Sequence, residues 1–123
     1  MTERSDTGKL GELLARNYLK KKGYRILETN YRTRFGEIDI VAKQNNVLVF
    51  IEVRTKNSIS FGTPEESITS KKASHLRAAA YLYLRAHQNL PEMWRIDFVA
   101  VEIDDKGKAK RIEIFESAVG EGK

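Results

Sequence analysis

The sequence contains no cysteine. Disulfides and thiolate zinc sites are thereby excluded, and the absence fits a reducing compartment. Nor is there an apolar stretch near the ~18 residues that a membrane span requires. The opening residues, MTERSDTGKLGE, lack the apolar centre of a secretory signal. A soluble, cytoplasmic protein is the expectation. No repeat, low-complexity tract or Pro/Gly-rich linker interrupts the chain, so residues 1–123 are expected to form one domain around one core.

Charge is what the sequence has in quantity. Twenty-two basic residues stand against 17 acidic ones, a net charge of +5, which favours a polyanionic partner. Between Ser70 and Gln88 lie Lys71, Lys72, Arg77 and Arg85 and no acid. Residues 16–34 carry Arg16, Lys20, Lys21, Lys22, Arg25, Arg32 and Arg34 against Glu28 alone. Solvated helix faces would account for either cluster equally well.

Periodicity predicts a helix over 8–22, capped by Asp6 or Thr7 and stopped by Gly23. Leu10, Leu14, Ala15 and Tyr18 form its apolar stripe, with Leu13 and Leu19 at the margins. YRILETN follows as a short strand and YRTRFG as a polar connection. A hairpin spans 36–56, NSISFGTPEES reads as a loop long enough for a flap, and 70–87 as a second helix. WRIDFVAVEI and KRIEIFE are the last strands, joined by the turn DDKGK. The resulting class is α/β, a mixed central sheet of about five strands flanked by helices.

The hairpin, GEIDIVAKQNNVLVFIEVRTK, sets acids inside two Ile/Val-rich strands. A two-residue turn at Asn45-Asn46, where Asn tolerates positive φ, pairs Ile40 with Ile51, Ala42 with Val49 and Ile38 with Val53 on an apolar face. On the reverse face it pairs Val41 with Phe50, Glu37 with Arg54, and Asp39 with Glu52. Two carboxylates roughly 5 Å apart destabilise a ladder unless a cation lies between them or one takes a proton. Mg²⁺ or Mn²⁺, bound by hard oxygen ligands, resolves the conflict. The alternative is a solvent-exposed face on which the acids are ordinary polar positions.

GEIDIVA, FIEVR, SFGTPEESIT and WRIDFVAVE, in this order and spacing, resemble the YraN family of bacterial proteins, from about Gly8 to Val119. That resemblance implies the restriction-endonuclease-like fold of the PD-(D/E)XK superfamily, with Holliday junction resolvases among the relatives. It also implies a metal-dependent nuclease site, in which the superfamily's aspartate falls on Asp39 and the acid of its E-x-K element on Glu52. The first-helix glutamate of resolvase-type relatives falls on Glu12, in line with Ala15 and Leu19. The chain departs from the pattern at the lysine, where it has Arg54. Guanidinium stays charged, so Arg54 can stabilise a phosphate but is a poor base.

Lys56 points to the same face as Arg54, and Lys72 can approach from the second helix. Arg95 and Asp97 resemble a family block and also fit a strand-start salt bridge. His75 and His87 match no metal spacing and read as surface residues. Three functions remain open. One is a Mg²⁺- or Mn²⁺-dependent endonuclease on structured or damaged DNA, gripping backbone phosphates with Arg32, Arg34, Lys56, Lys71 and Lys72. Resolvase-like action would require a homodimer. The second is a nucleic-acid-binding module without turnover, which Arg54 favours. The third is a protein-interaction domain whose charge serves solubility alone.

Overall fold

The computed structural model describes residues 3–57 and 62–117. Its elements are α1 (Glu3–Lys21), β1 (Arg25–Thr33), β2 (Gly36–Gln44), β3 (Val47–Asn57), a 3-10 turn (Pro64–Ser67), α2 (Ser70–Ala86), β4 (Met93–Ile103) and β5 (Ala109–Phe115). The strands form one sheet in the order β1-β2-β3-β4-β5. All neighbours are antiparallel except β3 and β4. A parallel pair needs a crossover, and the segment carrying α2 supplies it. This is the mixed α/β sheet expected from the sequence.

The two sheet faces are covered by different helices. On one, Ala15 and Leu19 of α1 pack against Ile40, Ala42, Val49, Ile51, Val99 and Val101. On the other, Leu76, Ala79, Ala80 and Tyr83 of α2 pack against Val41, Leu48, Phe50 and Ile96. Both alternating faces of β2 and β3 are therefore buried, and the exposed-face alternative for Phe50 and Val41 fails. The stripe of α1 also differs from expectation: Leu19 is in the core, while Leu10 and Leu14 only flank it. The helix docks through Gly11, where an added Cβ would overlap the Thr55 side chain of β3.

Local signals account for the element ends. Gly23, at φ +93°, ends α1, whose last turn carries Lys20 and Lys21 at the negative end of its dipole. Thr69 caps α2 by accepting the Lys72 N–H at 3.1 Å. Asn45 takes φ +56° in the two-residue turn between β2 and β3, while Asn46 keeps a negative φ. YRTRFG, expected as a connection, instead extends β1 and starts β2. Thr33 pairs with Gly36 around a tight turn, and its Oγ1 accepts the Phe35 N–H at 3.0 Å.

In the expected flap, residues 58–61 lie outside the described residues. The part that follows is ordered by side chains. Glu66 Oε1 accepts the Thr63 N–H at 2.9 Å, and Glu65 Oε1 receives Arg111 at 2.8 Å. Arg111 also binds Glu102 and Glu113, at 2.7 Å each, which ties the 3-10 turn to β4 and β5.

Candidate acidic site

The β2–β3 ladder keeps the expected register from Gln44–Val47 to Ile40–Ile51 and stops there. Beyond Ile40, β2 stays with β1 as far as Gly36, while β3 stays with β4 as far as Asn57. The two strands thus part where Asp39 would have faced Glu52. Instead of a backbone group, Asp39 Oδ2 accepts the Val53 N–H at 2.8 Å. Ile38 consequently does not join Ile40 on the α1 face but packs in the α2 core, which corrects the expected Ile38–Val53 pairing.

The carboxylates of Asp39 and Glu52 are within hydrogen-bonding reach of each other. Burial and the Glu52 charge, with a smaller push from Glu12, raise the Asp39 pKa to about 8, against the pull of the Val53 N–H. Two ionised carboxylates are both acceptors, so that contact closes only through a proton or a cation. Glu52 is 3% exposed, and its Oε1 is buried with no hydrogen-bond partner. Such an orphaned buried oxygen is costly unless something binds it.

Glu52 Oε2 faces two cations. Arg54 Nε lies 3.0 Å away and Lys72 Nζ 3.5 Å away. Arg54 Nε is at ion-pair distance yet is not aligned to donate, and it too is buried without a hydrogen-bond partner. Lys72 reaches the site from the first turn of α2, on the side of the helix that packs on the sheet, where Glu52 supplies its counter-charge.

Glu12 approaches from α1. Its pKa is raised chiefly by burial, with Glu37 and Glu52 adding like-charge repulsion, while the Asn30 amide bound at 3.1 Å and Arg16 oppose the rise. Among the described residues, no three His, Cys, Asp or Glu side chains converge as a ready-made metal cage. Glu12 is thus beside the pair, held by Asn30, rather than completing a three-carboxylate cluster.

The other sequence candidates fall around this end of the sheet or away from it. Arg32 pairs with Glu37 at 3.6 Å, and Arg34 lies over the Phe35 ring at 5.1 Å, both by the β1–β2 turn. Lys56 stands near the end of β3, and Lys71 is exposed in the first turn of α2. Arg95 and Asp97 do form a salt bridge, and a buried one. Arg95 Nε reaches both Asp97 oxygens, at 3.0 and 3.2 Å, and Arg95 Nη2 binds Tyr24 and Gln44. His87 is not a simple surface residue: it stacks on Tyr83 and faces Glu28 at 3.3 Å. Sequence reading missed Asn30 and Val53. Folding alone brings Asn30 to Glu12 and the Val53 amide to Asp39.

Fold and site together define a mixed five-stranded α/β domain in which a buried glutamate, Glu52, meets a half-buried aspartate, Asp39, where two central strands diverge. The chain belongs to UPF0102, described as an uncharacterised protein family, whose model matches residues 11–101; this is the YraN family expected from the sequence. A UPF0102 protein of Dehalococcoides mccartyi is 46% identical over 118 residues, covering 96% of each chain. UPF0102 proteins of Pelotomaculum thermopropionicum and Alkaliphilus oremlandii are 45% and 44% identical over 111 residues, covering 90% of this chain and 92% and 95% of theirs. Among the described residues no helix is long and apolar enough to cross a membrane.

Proposed function

We propose that the protein is a Mg²⁺- or Mn²⁺-dependent endonuclease acting on structured DNA. The observation that carries this reading is the Asp39–Glu52 pair, with one buried Glu52 oxygen left unpartnered. Mg²⁺ is commonly held by one or two carboxylates together with water and substrate phosphates, so two protein ligands fit it. Asp39 and Glu52 would hold the ion, with Glu12 adding negative charge nearby. When bound, the ion would polarise the scissile phosphate and lower the pKa of an attacking water.

The chain's own residues have separable tasks. Without a cation, Asp39 holds a proton on its carboxyl group, which cation binding would release. Arg54 remains charged and would stabilise charge developing on the phosphoryl oxygens rather than abstract a proton. Lys72 can turn from Glu52 to a phosphate, and Arg32, Arg34, Lys56 and Lys71 would add backbone contacts. Junction resolution would require two such sites, and hence a homodimer.

A second reading has its own support. Arg54 and Lys72 already neutralise Glu52 without a metal. That suits a nucleic-acid-binding module without turnover. Incubation with branched, nicked and single-stranded DNA, with Mn²⁺ or with chelator, separates the two. Cleavage that needs Mn²⁺ and is lost in Asp39→Asn supports the enzyme. Binding with no cleavage of any substrate favours the module.

A further inference from the structure

The outer side of α2 combines charge with exposed aromatic surface. The helix carries Lys71, Lys72, Arg77 and Arg85 and no acidic residue. Tyr81, on the same element, is half exposed, and its ring meets Trp94 of β4 edge-to-face, with centroids 5.4 Å apart. Trp94 in turn meets Phe50, centroids 5.8 Å apart, and Met93 beside it is 67% exposed. Core packing accounts for Phe50 and for one side of Trp94. It does not account for a half-exposed tyrosine braced upright on a tryptophan.

The position of this aromatic pair relative to the acidic site follows from two elements. Trp94 is level with Leu48, four residues before Glu52 on β3, roughly 13 Å at the strand rise. Tyr81 is nine residues beyond Lys72 on α2, two and a half turns and again roughly 13 Å along the axis, so it points away from the sheet that Lys72 faces, with Arg77 and Arg85 one turn to either side of it. That span equals about four base steps at ~3.4 Å per base in one strand. An exposed aromatic ring with basic residues one turn to either side is an arrangement that binds single strands, because every base offers a π face beside its phosphates.

We propose that Tyr81, supported by Trp94, is a stacking platform for an unpaired nucleobase. The single strand carrying that base would run along the outer side of α2, past the basic residues that flank Tyr81. The inference rests on the nucleic-acid reading above and deepens it, naming DNA with unpaired bases as the preferred ligand class.

The chain has a single tryptophan, so its fluorescence reports on this platform alone. The test compares an oligo-dT with an abasic deoxyribose-phosphate strand of equal length and charge. The protein should bind oligo-dT about tenfold more tightly, the scale of one stacked base, and the Trp94 emission should be quenched only by oligo-dT. Tyr81→Ala should erase the preference, and Tyr81→Phe should keep it, with circular dichroism confirming the fold of both. Equal affinity for both strands with unquenched Trp94 would overturn the platform while leaving backbone binding intact. No binding to either strand would overturn the platform and the nucleic-acid reading together.

Discussion

The carboxylate of Asp39 accepts the backbone N–H of Val53 at 2.8 Å, at the point where β2 and β3 separate. A side chain there replaces a ladder partner, so the gap between two central strands is closed at its base by an acid. The same acid meets Glu52, itself buried, on the neighbouring strand. Its placement thus serves the fold and sets it beside a Glu52 oxygen, Oε1, that has no hydrogen-bond partner.

The first prediction concerns pH. The folded-state pKa of Asp39 is raised to about 8, mainly by burial and then by Glu52, from an ordinary value of 3.8. Between these values the folded state binds more protons than the unfolded state, so stability falls as pH rises. In metal-free buffer the melting temperature should decline from about pH 4 to about pH 8. Asp39→Asn keeps an acceptor for Val53 and cannot ionise, so it should lose much of that decline. Parallel pH profiles for the two proteins would show that Asp39 does not carry the proton.

Lys72 yields a prediction with two signs. Its ammonium pairs with Glu52 Oε2, beside the unpartnered Oε1, and so competes with a cation for the same carboxylate. Lys72→Ala should therefore raise apparent Mn²⁺ affinity while lowering DNA affinity. With Lys71→Ala added, the slope of log affinity against log salt on duplex DNA should flatten by about 1.8, or ~0.9 for each lost phosphate contact. Calorimetry of Mn²⁺ binding and salt titrations of DNA binding read the two effects separately. A loss of both affinities by the single variant would contradict the competition.

Much of this arrangement is legible in the sequence, and the limits have physical causes. Alternation and the Asn45-Asn46 turn give the register from Gln44–Val47 to Ile40–Ile51, because an apolar face tolerates no slip. The break after Ile40 is made by one side chain accepting one backbone amide, and no hydrophobic pattern encodes that. Ile38 departs from the expected face for the same reason: alternation fails where the ladder ends. On α1 the buried stripe centres on Gly11, Ala15 and Leu19, since close approach at Thr55 selects a glycine that hydropathy does not score. Lys72 is legible as a cation that can approach from the second helix, but its partner, Glu52, requires the third dimension.

Asp97 is fully buried and held by Arg95 and by the Ser117 N–H at 3.0 Å. Asp97→Ala would leave the guanidinium without its main anion. It should cost ~3 kcal/mol or more in urea unfolding, the scale for breaking a buried pair. Because Asp97 belongs to the Arg95–Tyr24–Gln44 network, any Mn²⁺-induced stabilisation should persist in the variant. A loss below ~1 kcal/mol would contradict a structural role for the pair.

The central claim is that Asp39 and Glu52 form a cation site, and thermal unfolding with and without Mn²⁺ tests it most directly. An ion that binds only the folded state stabilises it by ~2.7 kcal/mol at a concentration one hundred times its dissociation constant. The melting temperature of the parent should rise with millimolar Mn²⁺. That of Asp39→Asn should start as high as the metal-free parent, or slightly higher, and should not respond. A parent indifferent to the ion, or an equal rise in both proteins, would contradict the account.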